Sequence, residues 1–364
     1  MNTRASVLMM PLSTVYRALT EARLAAYRSG LFRTSTLPAP VISVGNITTG
    51  GTGKTPLVEW VCRTIARGNA GENGPPQDLI SKKTICVLTR GYGKLNPKEQ
   101  VLVSNSVEVL ANEREAGDEP LLLARNLLGI AAVISNPDRV SAGEWAVRNL
   151  GTEVFVLDDG FQHLRIARDL DIVTIDATNP FGGGEMLPHG RLREPIRSLS
   201  RADCVVITRS DQAGDLDSVK GAVRPLVGTR PVFSSRMVPT EFRRLGGESV
   251  DGPEVLNQTL GAFCGVGNPA SFFTQVRNAG LRIPFTRAFP DHYKYSQAGI
   301  DALVGEIQAS GATGLITTAK DATRLSALKV GLPCYVLEIR ISIDEEERLA
   351  GMILAAISHS PSNK

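Results

Sequence analysis

The residues best suited to chemistry in this chain lie in a glycine-rich segment, VGNITTGGTGKTP, at positions 44–56. A β-prone run precedes the glycines, and Lys54 and Thr55 lead into a helical apolar pattern. In a phosphate-binding loop of this kind, backbone amides face phosphate oxygens, the lysine reaches the outer phosphates and the threonine hydroxyl ligates Mg²⁺. Thr48 replaces the consensus glycine six residues before the lysine, so a simple glycine-rich turn is the alternative. The pattern favours a nucleoside triphosphate site. The predicted nucleotide-binding residues are Gly45, Asn46, Thr48, Thr49, Gly50, Gly51, Thr52, Gly53, Lys54 and Thr55.

Two adjacent acids, Asp158 and Asp159, end the apolar run 154–157 downstream of this loop. In proteins with a phosphate-binding loop, a carboxylate at the end of a buried strand holds Mg²⁺ directly or through water. Two neighbouring carboxylates repel each other unless a cation or a basic group lies nearby. The pair therefore favours a metal and phosphate site over a solvated strand end. Gln162 and His163 follow, where polar side chains could contact a substrate.

Two further segments carry basic or acidic residues in predicted loops. Arg90 lies in the turn after a predicted strand, where open α/β sheets bind ligands, although an exposed loop arginine would look the same. The long loop 179–195 carries Arg191, Arg193 and Glu194. Loops of this length inside compact proteins are usually functional or mobile, so both segments are candidate substrate contacts.

Asp118 and His292 are candidates for handling a proton. Asp118 opens a predicted helix, where a capping acid is a strong alternative. His292 follows Asp291 after a Phe-Pro turn and is one of only four histidines. It forms either a structural pair with that aspartate or a proton-handling group that a second domain supplies to a cleft. Taken alone, the residues favour the structural pair.

The elements that must position these residues follow an α/β pattern. Strands alternate with helices from the glycine loop onward, which predicts a P-loop NTPase-like core made of a parallel sheet with helices on both faces. A β-ribbon and a second, smaller α/β unit follow. The predicted division is an amino-terminal helical region (1–38), the P-loop core (39–230), a β-ribbon linker (231–258) and a carboxyl-terminal α/β domain (259–364).

Size and composition agree with this division. The 364 residues exceed the roughly 250–300 that one core usually supports. With 42% hydrophobic and 21% charged residues, the chain has the composition of an ordinary globular protein. A net charge of +3 is too small to indicate nucleic acid binding, and no segment indicates a protein partner. Five widely spaced cysteines match no zinc or C-x-x-C pattern and indicate a reducing compartment.

The amino terminus has a character of its own. The first 40 residues carry five arginines against one acid, and apolar residues recur at helical spacing through Leu12, Val15 and Leu19. No run approaches the roughly 18–20 apolar residues of a membrane span. A basic helix with an apolar stripe predicts a segment that lies at a membrane surface and meets anionic headgroups. A helix packed on the protein's own core is the alternative, and the two are compatible.

Together, these segments resemble the tetraacyldisaccharide 4′-kinase family, the lipid A 4′-kinases. The irregular glycine loop with Thr48 is part of the family pattern, and the sequence departs from that pattern at His189, Arg191 and Ala319. The matching motifs run in order over roughly residues 10–325 and are VGNITTGGTGKTP, LTRGYG, GDEP, VFVLDDGFQH, ARDLDIV, LPHGRLREP, CGVGNP, FPDH and TAKD.

The resemblance implies that ATP, with Mg²⁺, phosphorylates the 4′-hydroxyl of tetraacyldisaccharide 1-phosphate, a lipid A precursor, to give lipid IVA. It implies two α/β domains that close over the nucleotide, and peripheral attachment to the cytoplasmic face of the inner membrane. Two rival classes are a P-loop GTPase and a non-catalytic membrane scaffold. The chain lacks the N-K-x-D motif of the first, and the retained Lys54-Thr55 and Asp158-Asp159 pairs argue against the second.

The resemblance also implies roles for individual residues. Asp118 is the implied catalytic base, with His292 as its partner across the cleft. The residues implied for phosphate and metal are Lys54, Thr55, Asp158, Asp159 and, near the metal, Glu194. The residues implied for the anionic substrate are Arg90, His163, Arg191 and Arg193.

Overall fold

A computed structural model describes residues 3–68, 83–325 and 327–358. Within these ranges the chain forms one mostly parallel sheet of thirteen strands, with helices packed on it. The predicted mixed α/β class is confirmed. The first two residues of the predicted amino-terminal region lie outside the described ranges.

The helices and strands have the following bounds. The strands are β1 (Val41–Asn46), β2 (Ile85–Thr89), β3 (Val101–Ser104), β4 (Ala131–Ser135), β5 (Val154–Asp158), β6 (Leu170–Asp176), β7 (Cys204–Thr208), β8 (Val232–Arg244), β9 (Ser249–Val250), β10 (Thr259–Cys264), β11 (Arg282–Ala288), β12 (Gly314–Thr318) and β13 (Cys334–Ile343). The α-helices are α1 (Thr3–Arg28), α2 (Lys54–Arg67), α3 (Glu113–Ala116), α4 (Asp118–Asn126), α5 (Arg139–Leu150), α6 (Leu216–Val227), α7 (Gly252–Leu256), α8 (Pro269–Asn278), α9 (Gln297–Ala309), α10 (Ala319–Leu325) and α11 (Glu346–Ser358). Two short 3₁₀ helices span Ile196–Arg201 and Ser210–Gln212.

The first half of the sheet has the strand order β8-β7-β6-β1-β5-β2-β4-β3. All neighbours in it are parallel except the edge strand β3, which runs antiparallel to β4. Strands β1, β2, β5 and β7 are buried along their whole length, because helices cover both faces of the sheet. Their carboxyl ends meet at one edge, where α/β sheets bind ligands.

Strand β8 joins the two halves of the sheet. Its first residues pair in parallel with β7, with Val232 opposite Val205. Its later residues pair antiparallel with β13, as far as Arg244 opposite Tyr335. Beyond β13 the order is β12-β10-β11, with all three strands parallel. The predicted linker 231–258 begins on this shared strand, and the division of the chain into domains stays a prediction.

The last helix, α11, returns to the first half of the molecule. Leu349, Ile353 and Ile357 are buried in the core that β1 and α2 also form. The indole N–H of Trp60 on α2 donates to a carboxylate oxygen of Glu346 at 2.9 Å. The end of the chain therefore covers the helix that follows the glycine loop.

Helix α1 packs through one face and exposes the other. The hydroxyl of Tyr16 donates to the carbonyl of Arg193 at 3.2 Å, and that of Ser13 donates to the carbonyl of Met186 at 3.1 Å. On a neighbouring face Leu12 and Leu19 are 56% and 67% exposed. Packing on the protein is thus confirmed, and contact with a membrane stays a prediction. Among the helices in the described ranges, none combines the length and apolar character needed to cross a bilayer.

The sequence prediction missed one strand and divided another. The strand β11 was missed because it is a largely exposed sheet edge and contains Pro284, which cannot donate a ladder hydrogen bond. The separate β-prone runs predicted at 231–233 and 236–239 are parts of the single long strand β8. Neither difference alters the edge of the sheet at which the candidate site residues lie.

Candidate active site

The glycine loop between β1 and α2 has the backbone shape that its glycines allow. Gly50 and Gly53 have φ angles of 106° and 79°, which other residues rarely adopt. A Cβ atom on Gly53 would lie 3.0 Å from Met237 and 3.2 Å from Thr208, so the loop also lies close against neighbouring strands. Helix α2 begins at Lys54 with no side-chain cap, which leaves its first amides and its positive dipole end directed at the loop.

Side chains of the sheet hold the carbonyl groups of this loop. The Asn46 amide donates to the carbonyl of Thr48 at 2.7 Å. The Thr208 hydroxyl donates to the carbonyl of Thr52 at 2.9 Å. A Cβ atom on Gly45 would lie 2.5 Å from Phe161, so Gly45 lets the strand beneath the loop pack closely. Of the predicted nucleotide-binding residues, Gly45 and Asn46 therefore shape the loop from below.

The amide groups of the loop divide into two sets. Within the part of the chain that the structure describes, the amides of residues 50–53 donate to no protein acceptor. The amide of Thr49, by contrast, donates to the carbonyl of Arg191 at 2.8 Å, and Thr48 forms a β-bridge with Leu192. Successive free amides form a nest that attracts an anion. The amides without a protein acceptor thus lie at residues 50–53, and phosphate binding by the loop residues stays a prediction.

The acid pair lies at the end of β5, beside the start of α2. A carboxylate oxygen of Asp158 accepts a hydrogen bond from the hydroxyl of Thr89 at 2.9 Å. Asp159 has a φ of 52°, and both its carboxylate oxygens accept from Arg193 at 2.8 Å. Lys54 Nζ lies 3.5 Å from Asp159 Oδ1. The positive charge that two adjacent aspartates require is therefore present.

The two acids differ in charge state. Burial raises the pKa of Asp158 to about 6, and the nearby carboxylates of Glu119 and Asp159 add to this effect. Burial would also raise the pKa of Asp159, but the charges of Lys54 and Arg193 outweigh it and hold that pKa well below its usual range. Asp159 is therefore an anion held between two cations.

The predicted proton-handling residues come together across the two halves of the molecule. His292 Nδ1 lies 3.0 Å from Asp118 Oδ2. Arg324, which is almost fully buried, also donates to that oxygen through its Nε at 3.1 Å and its Nη2. The side chain of Asp118 is 7% exposed, whereas that of His292 is 44% exposed. The structural pair with Asp291 that the residues alone favoured is also present, because the backbone N–H of His292 donates to Asp291 at 3.0 Å, but the imidazole Nε2 lies 3.9 Å from that carboxylate.

This contact shifts both pKa values. Burial would raise the pKa of Asp118, but the hydrogen bond with His292 and the charges of Lys320 and Arg324 hold it well below its usual range. The hydrogen bond with Asp118 raises the pKa of His292 above its ordinary value. Asp118 by itself is a weak base, and His292 has become a stronger one. Of the two, His292 is therefore the better proton acceptor.

A second ion pair joins α4 and α10, the helices that carry Asp118 and Arg324. Lys320 Nζ on α10 lies 2.8 Å from Glu119 on α4 and 3.5 Å from Asp291.

Arg90 stacks its guanidinium 5.0 Å from the ring centre of Tyr92 and donates to the Tyr92 hydroxyl at 2.8 Å.

One cleft of about 520 Å³ contains most of these groups. Asp118 lies behind His292 rather than on the cleft wall. An apolar section of the wall is formed by Met237, Phe272 and Leu337. The predicted site residues that line the cleft are Gly50, Gly51, Thr52, Gly53, Lys54, Thr55, Arg90, Asp158, Asp159, Arg193 and His292.

Three of the residues predicted to contact metal or substrate lie outside this cleft. Glu194 is 2% exposed, and Arg201 donates to both its carboxylate oxygens at 2.7 and 3.2 Å, so its position does not support the predicted metal role. Arg191 lines a separate cavity on the other side of the glycine loop. Burial, with nearby arginine charges, lowers the pKa of His163 to about 3, and this neutral histidine is absent from the cleft wall. Its position gives no support to a substrate contact.

Sequence reasoning missed several residues that hold the site together. Arg139 donates to the carbonyl of Asp158 at 2.8 Å from a fully buried position on α5. Arg324 and Lys320 hold Asp118 and Glu119 from the second half of the chain. Lys320 lies within the TAKD motif, and Arg324 lies one helical turn beyond it. That spacing was a signal, because residues four apart share one face of a helix.

Known proteins match this chain over nearly its whole length. The family model for LpxK, tetraacyldisaccharide-1-P 4′-kinase, matches residues 5–358. A tetraacyldisaccharide 4′-kinase from Anaeromyxobacter sp. (strain Fw109-5) is 38% identical over 367 residues, covering 97% of this chain and 93% of that protein. The enzyme of that name from Geobacter metallireducens is 39% identical over 319 residues, covering 87% and 88%.

A solved structure shows the same similarity. It is described as the "apo" form of LpxK from Aquifex aeolicus in complex with ATP. The two chains superpose with a TM-score of 0.75 at 29% identity, covering 98% of this chain and 100% of the other. The family resemblance carried by the sequence motifs is confirmed by this match and by the family model. The chain belongs to the LpxK family of tetraacyldisaccharide-1-P 4′-kinases.

Proposed function

We propose that this protein transfers the γ-phosphate of ATP to the 4′-hydroxyl of tetraacyldisaccharide 1-phosphate, with Mg²⁺, as a step of lipid A synthesis. The observation that carries the proposal is the meeting of two sets of residues in one cleft. The first half supplies the glycine loop, Lys54 and the acid pair, and the second half supplies His292. Phosphoryl transfer needs this combination of charge cancellation and a positioned proton acceptor.

The phosphate chain of ATP is placed in the loop by its free amides and by Lys54. The ATP complex of the Aquifex aeolicus protein supports ATP as the donor. In the present structure Lys54 contacts Asp159 at 3.5 Å, which marks where the ammonium group meets the acidic end of the site. The backbone amides of residues 50–55 and the ammonium group of Lys54 would cancel charge on the transferring phosphoryl group. This charge cancellation is the main contribution that a protein makes to the reaction.

The residues at the loop fit a magnesium ion. Thr55 and the acid pair supply hard oxygen donors to one cleft. In the described residues no cluster of three or more histidine, cysteine, aspartate or glutamate side chains has the geometry of a complete metal site. Mg²⁺ usually keeps several waters and uses one or two carboxylates plus substrate phosphates, which suits Thr55 with Asp158 or Asp159. When bound, the ion supplies further charge neutralisation at the phosphates.

The acceptor hydroxyl needs a base, because an alcohol is a poor nucleophile near neutral pH. His292 reaches the cleft and takes up the proton at Nε2, while Asp118 holds Nδ1 and stabilises the imidazolium that forms. This proposal keeps the predicted pair but exchanges the roles within it. Arg90, which lines the cleft, is placed to meet the anionic acceptor, whereas Arg193 is already bound to Asp159.

The domain division and the membrane contact are part of the same proposal. Residues 39–230 form the nucleotide unit, β8 and the segment that follows it form the linker, and residues from 259 form the second unit. The exposed apolar face of α1 with its flanking arginines is the surface that would meet the bilayer holding the lipid acceptor.

The test is a transfer assay with γ-labelled ATP, Mg²⁺ and tetraacyldisaccharide 1-phosphate in detergent, followed by mass spectrometry of the lipid product. We expect a product heavier by one phosphate, on the 4′ position. Label released only as inorganic phosphate, with an unmodified lipid, would refute the proposed acceptor. Label on another hydroxyl would refute the position.

A further inference from the structure

Arg209 has no role in the proposed chemistry, yet it occupies an unusual position. It follows β7 directly and has a φ of 55°, in the left-handed region that non-glycine residues rarely adopt. Its side chain is about nine-tenths buried between the glycine loop and the second half of the molecule. Buried arginines are retained where several directed hydrogen bonds satisfy the guanidinium.

Three acceptors from three different segments surround this guanidinium. Nη2 donates to the carbonyl of Gly51 in the glycine loop at 2.8 Å. Nε donates to the hydroxyl of Ser271 on α8 at 3.0 Å. Nη1 donates to a carboxylate oxygen of Asp176 at the end of β6. One side chain thus joins the phosphate-binding loop, the first half of the sheet and a helix of the second half.

The bond to Gly51 has a consequence for phosphate binding. In a trans peptide the carbonyl and the following N–H point in opposite directions. A carbonyl of Gly51 held by Arg209 therefore turns the amide of Thr52 away from Arg209. Thr208 acts on the next peptide group in the same way through the carbonyl of Thr52. Two consecutive loop amides are thus oriented by Thr208, the last residue of β7, and by Arg209, which follows it.

The second half of the molecule also touches the loop at this place. A Cβ atom on Gly267 would lie 2.8 Å from the amide nitrogen of Gly51, so Gly267 packs against the loop backbone. Asn268, the N-cap of α8, lies 3.4 Å from Asp176 and 3.2 Å from Thr178 through its side-chain amide. A movement of α8 away from the loop would break the bond between Arg209 and Ser271.

We propose that Arg209 is a positioning residue that orients the phosphate-binding amides and couples nucleotide binding in the loop to the docking of α8. The inference rests on the proposed function, because it needs ATP in the loop. It assigns two separable tasks to one guanidinium. The bond to Gly51 sets the affinity for ATP, and the bond to Ser271 couples the binding of ATP to the docking of α8.

The experiment compares Arg209→Met, Arg209→Lys and Ser271→Ala with the wild type in the full-length protein, without lipid acceptor. The Kd for MgATP is measured by calorimetry, and amide hydrogen exchange of residues 269–278 is followed with and without MgATP. Arg224→Met, which removes an exposed arginine of α6 outside the cleft, controls for loss of charge. Thermal melting shows whether each variant is folded.

We expect Arg209→Met to raise the Kd by about tenfold, the effect of losing one charge-assisted hydrogen bond. It should also abolish the MgATP-induced protection of α8 that the wild type shows. The Kd of Arg209→Lys should lie between those of the wild type and Arg209→Met, because one ammonium group cannot reach all three acceptors. Ser271→Ala should lose the protection of α8 and keep the Kd within about twofold of wild type.

Several outcomes would overturn the inference. A Kd for Arg209→Met within about twofold of that of Arg224→Met would remove the orienting role. Protection of α8 that is absent in the wild type, or that persists in both Ser271→Ala and Arg209→Met, would remove the coupling. If Arg209→Met does not fold, Arg209→Lys and Ser271→Ala are judged by the same criteria. A wild type that binds no ATP would instead refute the proposed function.

Discussion

At the scale of single residues, the site depends on how a few charges compensate one another. Asp159 is held between Lys54 and Arg193, and Asp118 is held between His292 and Arg324. In both cases a buried carboxylate stays ionised because cations outweigh the effect of burial on its pKa. Both carboxylates, Asp159 and Asp118, are thus held in position by neighbouring groups of opposite charge.

Lys54→Ala should lower kcat for phosphoryl transfer by at least about a thousandfold, because the phosphates lose their main side-chain cation. The fold should persist, since Arg193 still pairs with Asp159 through two bonds. The measurement is the transfer assay together with thermal melting. Lys329→Ala, in an exposed turn outside the cleft, is the matched control. Near-normal turnover of the Lys54 variant would mean that the loop is not the phosphate site.

Asp118→Asn should change the pH dependence of kcat. In the wild type the neutral form of His292 is required, so the rate falls as pH falls through the raised pKa of His292. Removing the Asp118 charge lowers that pKa, so the acidic limb of the profile should move to lower pH. The plateau rate should fall by about 10²–10⁴-fold, because the imidazolium is no longer stabilised.

The pH profile of His292→Ala provides the comparison. This variant should lose the same acidic limb altogether and fall to a similar low plateau. The measurement is kcat at saturating substrates from about pH 5 to about pH 9, the range in which histidine titrates. An unmoved limb in Asp118→Asn would show that the aspartate does not act through His292.

At the scale of elements, α4 and α10 meet across the cleft and carry one set of contacts between the halves. The start of α4 supplies Asp118 and Glu119, and α10 supplies Lys320 and Arg324. The motif GDEP indicated α4, because its acids open a predicted helix, whereas no helix was predicted at TAKD, where the structure has α10. Sequence could not show that they face each other, since more than 190 residues separate them in the chain.

Arg324→Met should lower the free energy of unfolding by about 3–5 kcal/mol, because it leaves the buried Asp118 carboxylate without one of its partners. Equilibrium unfolding in urea measures the change. Arg287→Met is the matched control: its pair with Glu306 is about half exposed, and its loss should cost less than about 1 kcal/mol.

The double variant Asp118→Leu/Arg324→Met completes this test. With both charges removed, part of the lost stability should return, while catalysis stays absent. A double variant less stable than Arg324→Met would show that packing around the guanidinium, rather than an unpaired charge, accounts for the loss.

The sequence predicted the strands and helices around the glycine loop well. It predicted the contacts made by the long loop 179–195 poorly. The buried strands of the first half have strong apolar runs bounded by glycine or acids, and their predicted positions agree with the structure to within one or two residues. Glu194 was predicted to lie near the metal because the family resemblance implies that role for the acid of the LPHGRLREP motif. Its partner Arg201 lies seven residues on in a 3₁₀ helix, and no periodic pattern predicts that contact.

At the scale of the whole molecule, α1 and the cleft are linked through one segment. Tyr16 on α1 donates to the carbonyl of Arg193, whose side chain binds Asp159 in the site. A neighbouring face of α1 exposes Leu12 and Leu19. A bilayer in contact with that face would lie only one packed helix away from the phosphoryl-transfer site, which suits an acceptor whose acyl chains stay in a membrane.

Leu12→Glu/Leu19→Glu should abolish binding to vesicles that contain anionic phospholipid, because two charges enter the apolar face. Transfer to a detergent-dispersed acceptor should stay within about threefold of wild type, since Ser13 and Tyr16 still hold the helix in place. Co-sedimentation measures the first effect. Val107→Glu, which changes an apolar residue beside β3 that is 82% exposed, is the control. Vesicle binding that survives the double substitution would place the membrane contact elsewhere.

The pairing of β8 with β13 has a practical consequence for dissecting the protein. The chain leaves the nucleotide-binding half along one of these strands and returns along its immediate neighbour, where the amide of Leu245 donates to the carbonyl of Cys334 at 2.9 Å. A two-residue turn could therefore close the two strands into a hairpin and excise residues 246–333 as one cassette. A simple truncation at residue 245 would instead discard α11 and uncover the hydrophobic surface of α2. A shortened chain that keeps both the glycine loop and the covering helix α11 is thus a splice of two distant segments, not a fragment with a single cut.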